Sequence, residues 1–174
     1  EHATAIDKTV FPGLQGGPHM HNIFAKAVAL GEALQPDFKI YAAQVLKNSK
    51  ALANRLMKLG CKLVTNGTDN HLMVMDCVTS FGMGGKETEA VLDQINITTN
   101  KQSIPDDQNP PLNPSGIRLG SPAVTTRGFK EHDMEKVAEW IAQACRNKGN
   151  ESILKKLKEE AKEFCLKFPV PGIS

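Results

Sequence analysis

The stretch CKLVTNGTDNHLMVMDCV, residues 61–78, places two apolar runs on either side of a polar turn. The runs CKLV (61–64) and HLMVMDCV (71–78) have the composition of strands. Between them, TNGTDN (65–70) contains the Asn, Gly and Asp residues that favour turns. The stretch therefore predicts two antiparallel strands joined by a short connection.

Downstream of this pair, the sequence predicts one helix and two further short strands. Residues 86–95 predict the helix, NITTN (96–100) a short strand and IRLG (117–120) another strand. The segment QSIPDDQNPPLNPSG (102–116) is crowded with Pro, Asn and Asp and predicts a long loop. Long loops in compact domains are often functional, so this loop is a candidate part of a site.

A long helical segment is predicted before the strand pair, and two amphipathic helices close the chain. The long segment runs from about Asn22, is interrupted at Pro36 and ends before Gly60, where a left-handed cap is expected. Residues 1–17 lack periodicity and predict a loop arm. The apolar stripes of the last two helices are Met134, Val137, Ala138, Ile141 and Cys145, followed by Leu154, Leu157, Ala161, Phe164, Cys165 and Phe168.

These elements together predict an α+β fold with an α/β layer structure, in which helices cover a small, mainly antiparallel sheet. The expected organisation is an arm (residues 1–21), a connecting helical segment (22–59) and a small C-terminal domain (60–174). A chain of 174 residues is long enough to bury a sizeable core. Its first residue is Glu1 rather than Met, so we expect it to come from within a longer protein.

The composition argues against several classes of protein. The net charge is +2, and Lys and Arg are mixed with Glu and Asp, which argues against a nucleic-acid-binding surface. No run approaches the ~20 apolar residues of a membrane helix. The four cysteines are far apart and form no CxxC pair, which predicts buried free thiols, a reducing cytoplasm and no zinc site.

Gly16-Gly17-Pro18 lies directly before the first helical stretch. In a Gly-rich turn, consecutive backbone N–H groups form a nest for an anion, and the start of a helix favours phosphate. The alternative is a tight turn that only begins the helix. The stretch is not a Walker loop, because no Gly-Lys-Ser or Gly-Lys-Thr follows it.

Arg118 lies between Ile117 and Leu119 at the exit of the long loop. An arginine is costly to bury in such a setting without a partner. A carboxylate is the best partner, because a guanidinium group can bind both of its oxygens. The carboxylate belongs either to a ligand or to an Asp or Glu of the same chain, and the residues alone leave both interpretations open.

The remaining polar candidates are weaker. His19 and His21 have no carboxylate close in sequence, so no metal site is predicted, and His71 is expected to form a hydrogen bond. Asp106 and Asp107 are either paired acids or, as is commoner in loops, turn formers. No G-x-S-x-G motif is present, so the residues alone predict no catalytic nucleophile.

Taken together, five segments resemble the serine hydroxymethyltransferases, which are pyridoxal-phosphate enzymes of the aminotransferase-like fold. The resemblance covers nearly the whole chain but only the later part of a family member. It implies that the Schiff-base lysine, in a Thr-rich His-Lys-Thr motif, lies upstream, so no catalytic residue is expected in this chain. The segments are VFPGLQGGPHMH (10–21), AVALGEAL (27–34), GTDNHLMVMD (67–76), NITTNKQSIPDD (96–107) and SGIRLGSPAVTTRGF (115–129).

The resemblance also implies roles for individual residues. Gly16 and Gly17 correspond to the turn that reaches the cofactor phosphate in the neighbouring subunit, which implies a homodimer. Phe11 corresponds to a residue of the folate pocket, and Arg118 to the arginine that binds the carboxylate of serine or glycine. Gln102 stands where the family has an asparagine that contacts the folate, and its extra methylene changes the reach of the amide.

The implied reaction interconverts serine plus tetrahydrofolate and glycine plus 5,10-methylenetetrahydrofolate, with pyridoxal phosphate, in the complete cytoplasmic enzyme. The isolated chain is expected to be inactive. Arg127 matches a family arginine, for which we expect a structural role. Two alternatives are a non-catalytic interaction or dimerisation module and part of a threonine-aldolase-like enzyme. The segments NKQSIPDD and FPGLQGGP argue against the aldolase.

Overall fold

The computed structural model describes residues 1–173, which divide into two compact units, Glu1–Ile40 and the residues from Tyr41 onward. The predicted segments 1–21, 22–59 and 60–174 stay a prediction. The helices are α1 (Ala3–Lys8), α2 (Met20–Ala33), α3 (Pro36–Lys58), α4 (Cys77–Phe81), α5 (Gly85–Asp93), α6 (Pro122–Thr126), α7 (Glu131–Arg146) and α8 (Glu151–Leu166).

The second unit is built on an antiparallel sheet. Among the described residues it has four strands: β1 (Lys62–Leu63), β2 (Leu72–Asp76), β3 (Asn100–Gln102) and β4 (Gly116–Gly120). Their order is β1-β2-β4-β3, so β2 and β4 are central and β1 and β3 lie at the edges. The predicted α+β fold and the antiparallel pairing within residues 61–78 are confirmed.

One face of the sheet is packed into the core and the other is open. Along β4, Ile117 and Leu119 are buried while Arg118 between them is exposed, because successive side chains of a strand point to opposite faces. Met73 and Met75 of β2 are buried on the same side as Ile117 and Leu119. The helical part of the core includes Leu52, Leu56, Leu92, Met134, Ile141 and Leu157.

The start of α5 touches the start of β4 with no side chain between them. A Cβ atom at Gly85 would collide with the carbonyl oxygen of Gly116, and one at Gly116 would lie 2.8 Å from the carbonyl oxygen of Met75. The Gly85 N–H donates to the carbonyl of Pro114 at 2.7 Å. Gly85 therefore lets the helix approach the strand at the distance of a main-chain contact, and Gly116 leaves room for the backbone of β2.

Buried polar side chains join the end of β4 to α3. The amide nitrogen of Asn48, which is fully buried, donates to Thr125 Oγ1 and to the carbonyl of Phe129, both at 2.8 Å. Ser121, directly after β4, donates its hydroxyl to the carbonyl of Val45 at 2.8 Å. Because these groups satisfy one another, their burial carries no unpaired-donor cost.

The first unit contains α1, a turn over Thr9–Leu14 that is kinked at Phe11 and Pro12, and α2. The predicted loop arm over residues 1–17 is wrong for Ala3–Lys8, which is helical. A six-residue helix without a buried side chain has no apolar stripe from which periodicity could reveal it. None of the described side chains of α2 is buried either, although the helix is rich in apolar residues.

The predicted strand HLMVMDCV (71–78) ends two residues early. Asp76 caps the helix α4 instead, because its carboxylate accepts the N–H of Thr79 at 2.9 Å and the Thr79 hydroxyl at 2.6 Å. The run CKLV (61–64) is likewise shortened, since Val64–Asn66 forms a 3-10 turn.

The predicted strand NITTN (96–100) is wrong except for its last residue. Asn96 has a φ of +61°, and the Ile97 N–H bonds to the carbonyl of Leu92 at the end of α5. This left-handed exit from the helix delays the extended backbone until Asn100. The start of α3 at Pro36, the positive φ of Gly60 and the helices α5, α7 and α8 agree with the prediction.

Candidate functional site

Arg118 occupies the middle of the central strand β4, on the open face of the sheet. It lies opposite Val74 of β2 and Asn100 of β3. Its neighbours Ile117 and Leu119 are 0% and 6% exposed, so the core holds the strand from the other face. Within residues 1–173 the Arg118 side chain forms no hydrogen bond and no ion pair, and the structural pair left open above is not seen there.

Gln102 lies on the same face as Arg118. The register places Asn100 opposite Arg118 and Gln102 opposite Gly116, and residues two apart on a strand share a face. The Gln102 side chain is partly buried, and its amide nitrogen lies 3.5 Å from the carbonyl of Ser103. The sheet thus brings together two residues that the sequence separates by a long loop.

A cavity of about 1120 Å³ opens beside Arg118. Its wall combines side chains of α8, such as Cys165, with residues leading into β3, such as Thr98. The cations at the wall are Arg118, Arg127 and Lys162, and none of the lining residues in the described part of the chain is acidic. A concave site of this charge is suited to an anionic ligand.

The loop between β3 and β4 is organised by the carboxylate of Asp107. Its oxygens accept the N–H groups of Ile104 (3.2 Å), Asn109 (3.0 Å) and Ser115 (2.9 Å) and the Ser115 hydroxyl (2.6 Å). The side chain of the neighbouring Asp106 forms no hydrogen bond within residues 1–173. The structure therefore supports the turn-forming interpretation for Asp107 rather than a pair of acids.

These hydrogen bonds also set the charge of the loop. The bonds from the hydroxyl and the N–H of Ser115, followed by that from the Asn109 N–H, hold the pKa of Asp107 far below its ordinary value. Donors aimed at the charged form stabilise it, so this carboxylate is ionised throughout the physiological range.

Gly16 and Gly17 lie in the first unit, just before α2. A Cβ atom at either position would meet nothing within 4 Å, and neither glycine has a positive φ. Nothing within the described part of the chain therefore requires glycine at these positions. Phe11 lies in the same unit, is 64% exposed and has extended backbone angles.

The histidines and cysteines form no metal centre in the described part of the chain. The rings of His19 and His21 stand edge to face, 5.5 Å apart, and the His71 carbonyl accepts the Ser121 N–H. The four cysteines are free thiols. Burial raises the pKa of Cys61 and of Cys77 to about 11 and raises that of Cys145 as well, so these thiols stay protonated at neutral pH.

Arg127 serves the structure of the domain. Its Nε donates to the carbonyl of Phe168 at 2.7 Å and its guanidinium NH2 to the carbonyl of Cys165 at 2.8 Å. These carbonyls lie in the last turn of α8 and just beyond its end, where a cation is stabilising. Among residues 1–173, no helix combines the length and apolar content that crossing a bilayer demands.

Sequence reasoning missed the partners of Asp107 and the residues that surround Arg118. A contact from Asp107 to Ser115 crosses eight positions of irregular chain and leaves no periodic signal. Thr98, which lies at the cavity wall, was assigned to a strand and not to a site. For the surroundings of Arg118, the sequence signal was the alternation of apolar and polar residues in IRLG, which places Arg118 on the face opposite the core.

A family model described as serine hydroxymethyltransferase matches residues 1–141. The chain belongs to the serine hydroxymethyltransferase family. A curated relative, the serine hydroxymethyltransferase of Acidobacterium capsulatum, is 52% identical over 172 residues. The match covers 99% of this chain and 40% of that relative, so the chain spans about two fifths of the length of the family enzyme it matches.

The family resemblance proposed from the five sequence segments is confirmed by both matches.

Proposed function

We propose that the chain is the C-terminal part of a cytoplasmic serine hydroxymethyltransferase. The complete enzyme interconverts serine plus tetrahydrofolate and glycine plus 5,10-methylenetetrahydrofolate. The observation that carries the proposal is the 52% identity over 99% of the chain. Since the chain spans 40% of that relative, the Schiff-base lysine is assigned to the rest of the polypeptide, and the isolated chain is expected to be inactive.

Arg118 is proposed to bind the carboxylate of serine or glycine. Its guanidinium group is exposed and is free of partners within residues 1–173, so no internal ion pair has to break first. Two parallel N–H···O bonds fix the plane of a carboxylate as well as its position. Orientation of the substrate by Arg118 therefore selects which bond at the α-carbon is presented to the reacting groups.

Gly16 and Gly17 are proposed to hold the phosphate of pyridoxal phosphate bound in a neighbouring subunit. The open space around both glycines fits such a group, because exposed main-chain N–H groups can donate to it without side-chain interference. When bound, the cofactor supplies an electron sink for the bonds of the amino-acid substrate. This assignment requires a homodimer.

Phe11 and Gln102 are proposed to contact tetrahydrofolate. The Phe11 ring is 64% exposed and offers an aromatic surface for stacking. The Gln102 amide offers one donor and one acceptor on the face that also carries Arg118.

The test is an assay of the complete polypeptide and of the isolated chain. We expect the complete protein to form glycine from serine only when tetrahydrofolate is present, and the isolated chain to form none. Release of acetaldehyde from threonine without any turnover of serine would instead identify an aldolase. Turnover by the isolated chain would show that the lysine assignment is wrong.

A further inference from the structure

We propose that Asp107 is a positioning residue for the contact between Gln102 and tetrahydrofolate. Its carboxylate joins the two ends of the 103–115 loop, which we call the neck of the loop, and so holds Gln102 in place. The inference rests on the proposed function, because it assigns a role within the same site. Asp107 itself is not expected to touch a substrate.

The neck is the place where the β3–β4 ladder stops. The last pair of the ladder is Gln102 opposite Gly116. Just beyond it, Asp107 Oδ2 accepts the N–H of Ser115, one residue from Gly116 (2.9 Å), and that of Ile104, two residues from Gln102 (3.2 Å). A single carboxylate oxygen thereby bridges the two chain segments at the point where direct strand pairing ends.

The second oxygen ties the loop to itself. Asp107 Oδ1 accepts the Ser115 hydroxyl at 2.6 Å and the Asn109 N–H at 3.0 Å. The Asn109 side chain in turn donates to the Ser115 hydroxyl at 2.9 Å. An ionised acceptor makes each bond stronger than a neutral one would.

The neck is also fixed to the rest of the domain. The carbonyl of Ser115 accepts the N–H of Cys77 at 3.0 Å, and the carbonyl of Pro114 accepts the N–H of Gly85 at 2.7 Å. The Ser115 end of the neck is therefore held in place. The bonds of Asp107 to Ser115 and to Ile104 restrain the Ile104 end as well.

The position of Gln102 depends on the bonds of Asp107 at the neck more than the position of Arg118 does. Arg118 sits in a central strand that is paired on both sides and is held beyond Gly120 by the Ser121 hydroxyl. Gln102 ends a three-residue edge strand that pairs with β4 alone. Release of the neck should consequently disturb the folate contact and leave the carboxylate contact in place.

The decisive experiment compares Asp107→Asn with Asp106→Asn in the complete enzyme. We expect Asp107→Asn to raise the KM for tetrahydrofolate roughly tenfold, since an amide cannot accept all four bonds and loop misplacement costs binding. The KM for serine should stay within about twofold, because the two contacts are held independently. Asp106→Asn should match the wild type, because that side chain has no partner in residues 1–173 and Asn tolerates its φ of +54°.

A second variant, Ser115→Ala, tests the same proposal in case Asp107→Asn does not fold. Ser115→Ala removes one of the bonds to Asp107 and keeps the Ser115 N–H, so we expect a smaller rise in the same KM. Hydrogen exchange should be faster at the Ile104 amide in both variants. An unchanged KM for tetrahydrofolate in Asp107→Asn, or equal rises in both KM values, would overturn the inference. A wild-type enzyme that does not turn over serine would overturn the proposed function instead.

Discussion

Three properties of Arg118 bear on its role. It lies in the middle of a central strand, it is flanked by buried Ile117 and Leu119, and its guanidinium group is unpaired within residues 1–173. A structural arginine at such a position would be expected to find a carboxylate, as Arg55 does with Glu139 at 2.8 Å. The position of Arg118 is rigid and its charge is available, which suits a residue that binds a ligand.

The first prediction concerns this charge. Arg118→Ala in the complete enzyme should raise the KM for serine roughly 100-fold, because two charge-assisted bonds are lost. Arg118→Lys should recover part of the loss, since lysine keeps the positive charge but not the planar guanidinium that binds both carboxylate oxygens. The thermal midpoint of both variants should match the wild type, because the side chain has no partner to lose among residues 1–173. Steady-state kinetics and thermal unfolding check this prediction, and unchanged kinetics would refute it.

A second residue-scale prediction concerns the thiols. Cys165 is the one cysteine that is not buried, whereas burial raises the pKa of Cys61, Cys77 and Cys145. A disulfide reagent at pH 8 should therefore react with one thiol in the native chain and with all four after denaturation. Cys165→Ser should abolish the native reaction. Labelling of several thiols at one rate would contradict the burial.

At the scale of elements, the contact between α5 and β4 is a main-chain contact. Gly85→Ala should therefore destabilise the domain by about 1–3 kcal/mol, because helix and strand must separate to admit a methyl group. Gly31→Ala is the control, since a Cβ there meets nothing within 4 Å and Ala is the better helix former. Urea unfolding gives the free energy for each variant, and equal values for the two would refute the prediction.

The Asp107 loop should be sensitive to acid. Its folded pKa lies below the value of 3.8 that the free carboxyl group shows, so its contribution to stability is complete above about pH 3.8. The contribution is lost as the pH falls through the lower, folded value. Unfolding free energies measured between pH 5 and pH 2 should consequently decrease less in Asp107→Asn than in the wild type. Parallel decreases would assign the acid sensitivity to other groups.

The elements were predictable to the extent that their patterns are local. The alternation in HLMVM and in IRLG gave the central strands, and helical stripes gave α7 and α8. The helix at Cys77–Phe81 was not predictable from hydrophobicity, because it depends on the cap formed by Asp76. The neck of the 103–115 loop was not predictable either, because it depends on a contact between Asp107 and Ser115 that only the β3–β4 pairing brings about.

On the scale of the whole molecule, the buried core belongs to the second unit. The side chains of α1 and α2 include no buried member, whereas buried residues begin at Val45 in α3. A chain that starts at Tyr41 should therefore keep a cooperative transition with nearly the same midpoint. A peptide of residues 1–40 should show little helix in water, since isolated helices of this length are marginal. Circular dichroism of both pieces tests this, and loss of cooperativity in the longer piece would refute it.

The residues with proposed roles belong to different units of the chain. Arg118 and Gln102 belong to the second unit, whereas Phe11, Gly16 and Gly17 belong to the first. From the residues alone, Arg118 could be identified as a carboxylate ligand or a structural partner, and the turn at Gly16 as a candidate anion site. The proposed roles of Phe11 and Gln102 come from the family resemblance, because neither residue carries a chemical signature of its own.

The contact between Gly85 and the Gly116 carbonyl also limits how this family segment can diverge. The obstacle to a larger residue at position 85 is a carbonyl oxygen, and every amino acid at position 116 carries the same oxygen. No second substitution at position 116 can therefore compensate for the first. Compensation would have to come from a shift of the whole helix, which several core residues resist together. In a mutational scan, position 85 should accordingly stay intolerant in every genetic background that preserves the sheet.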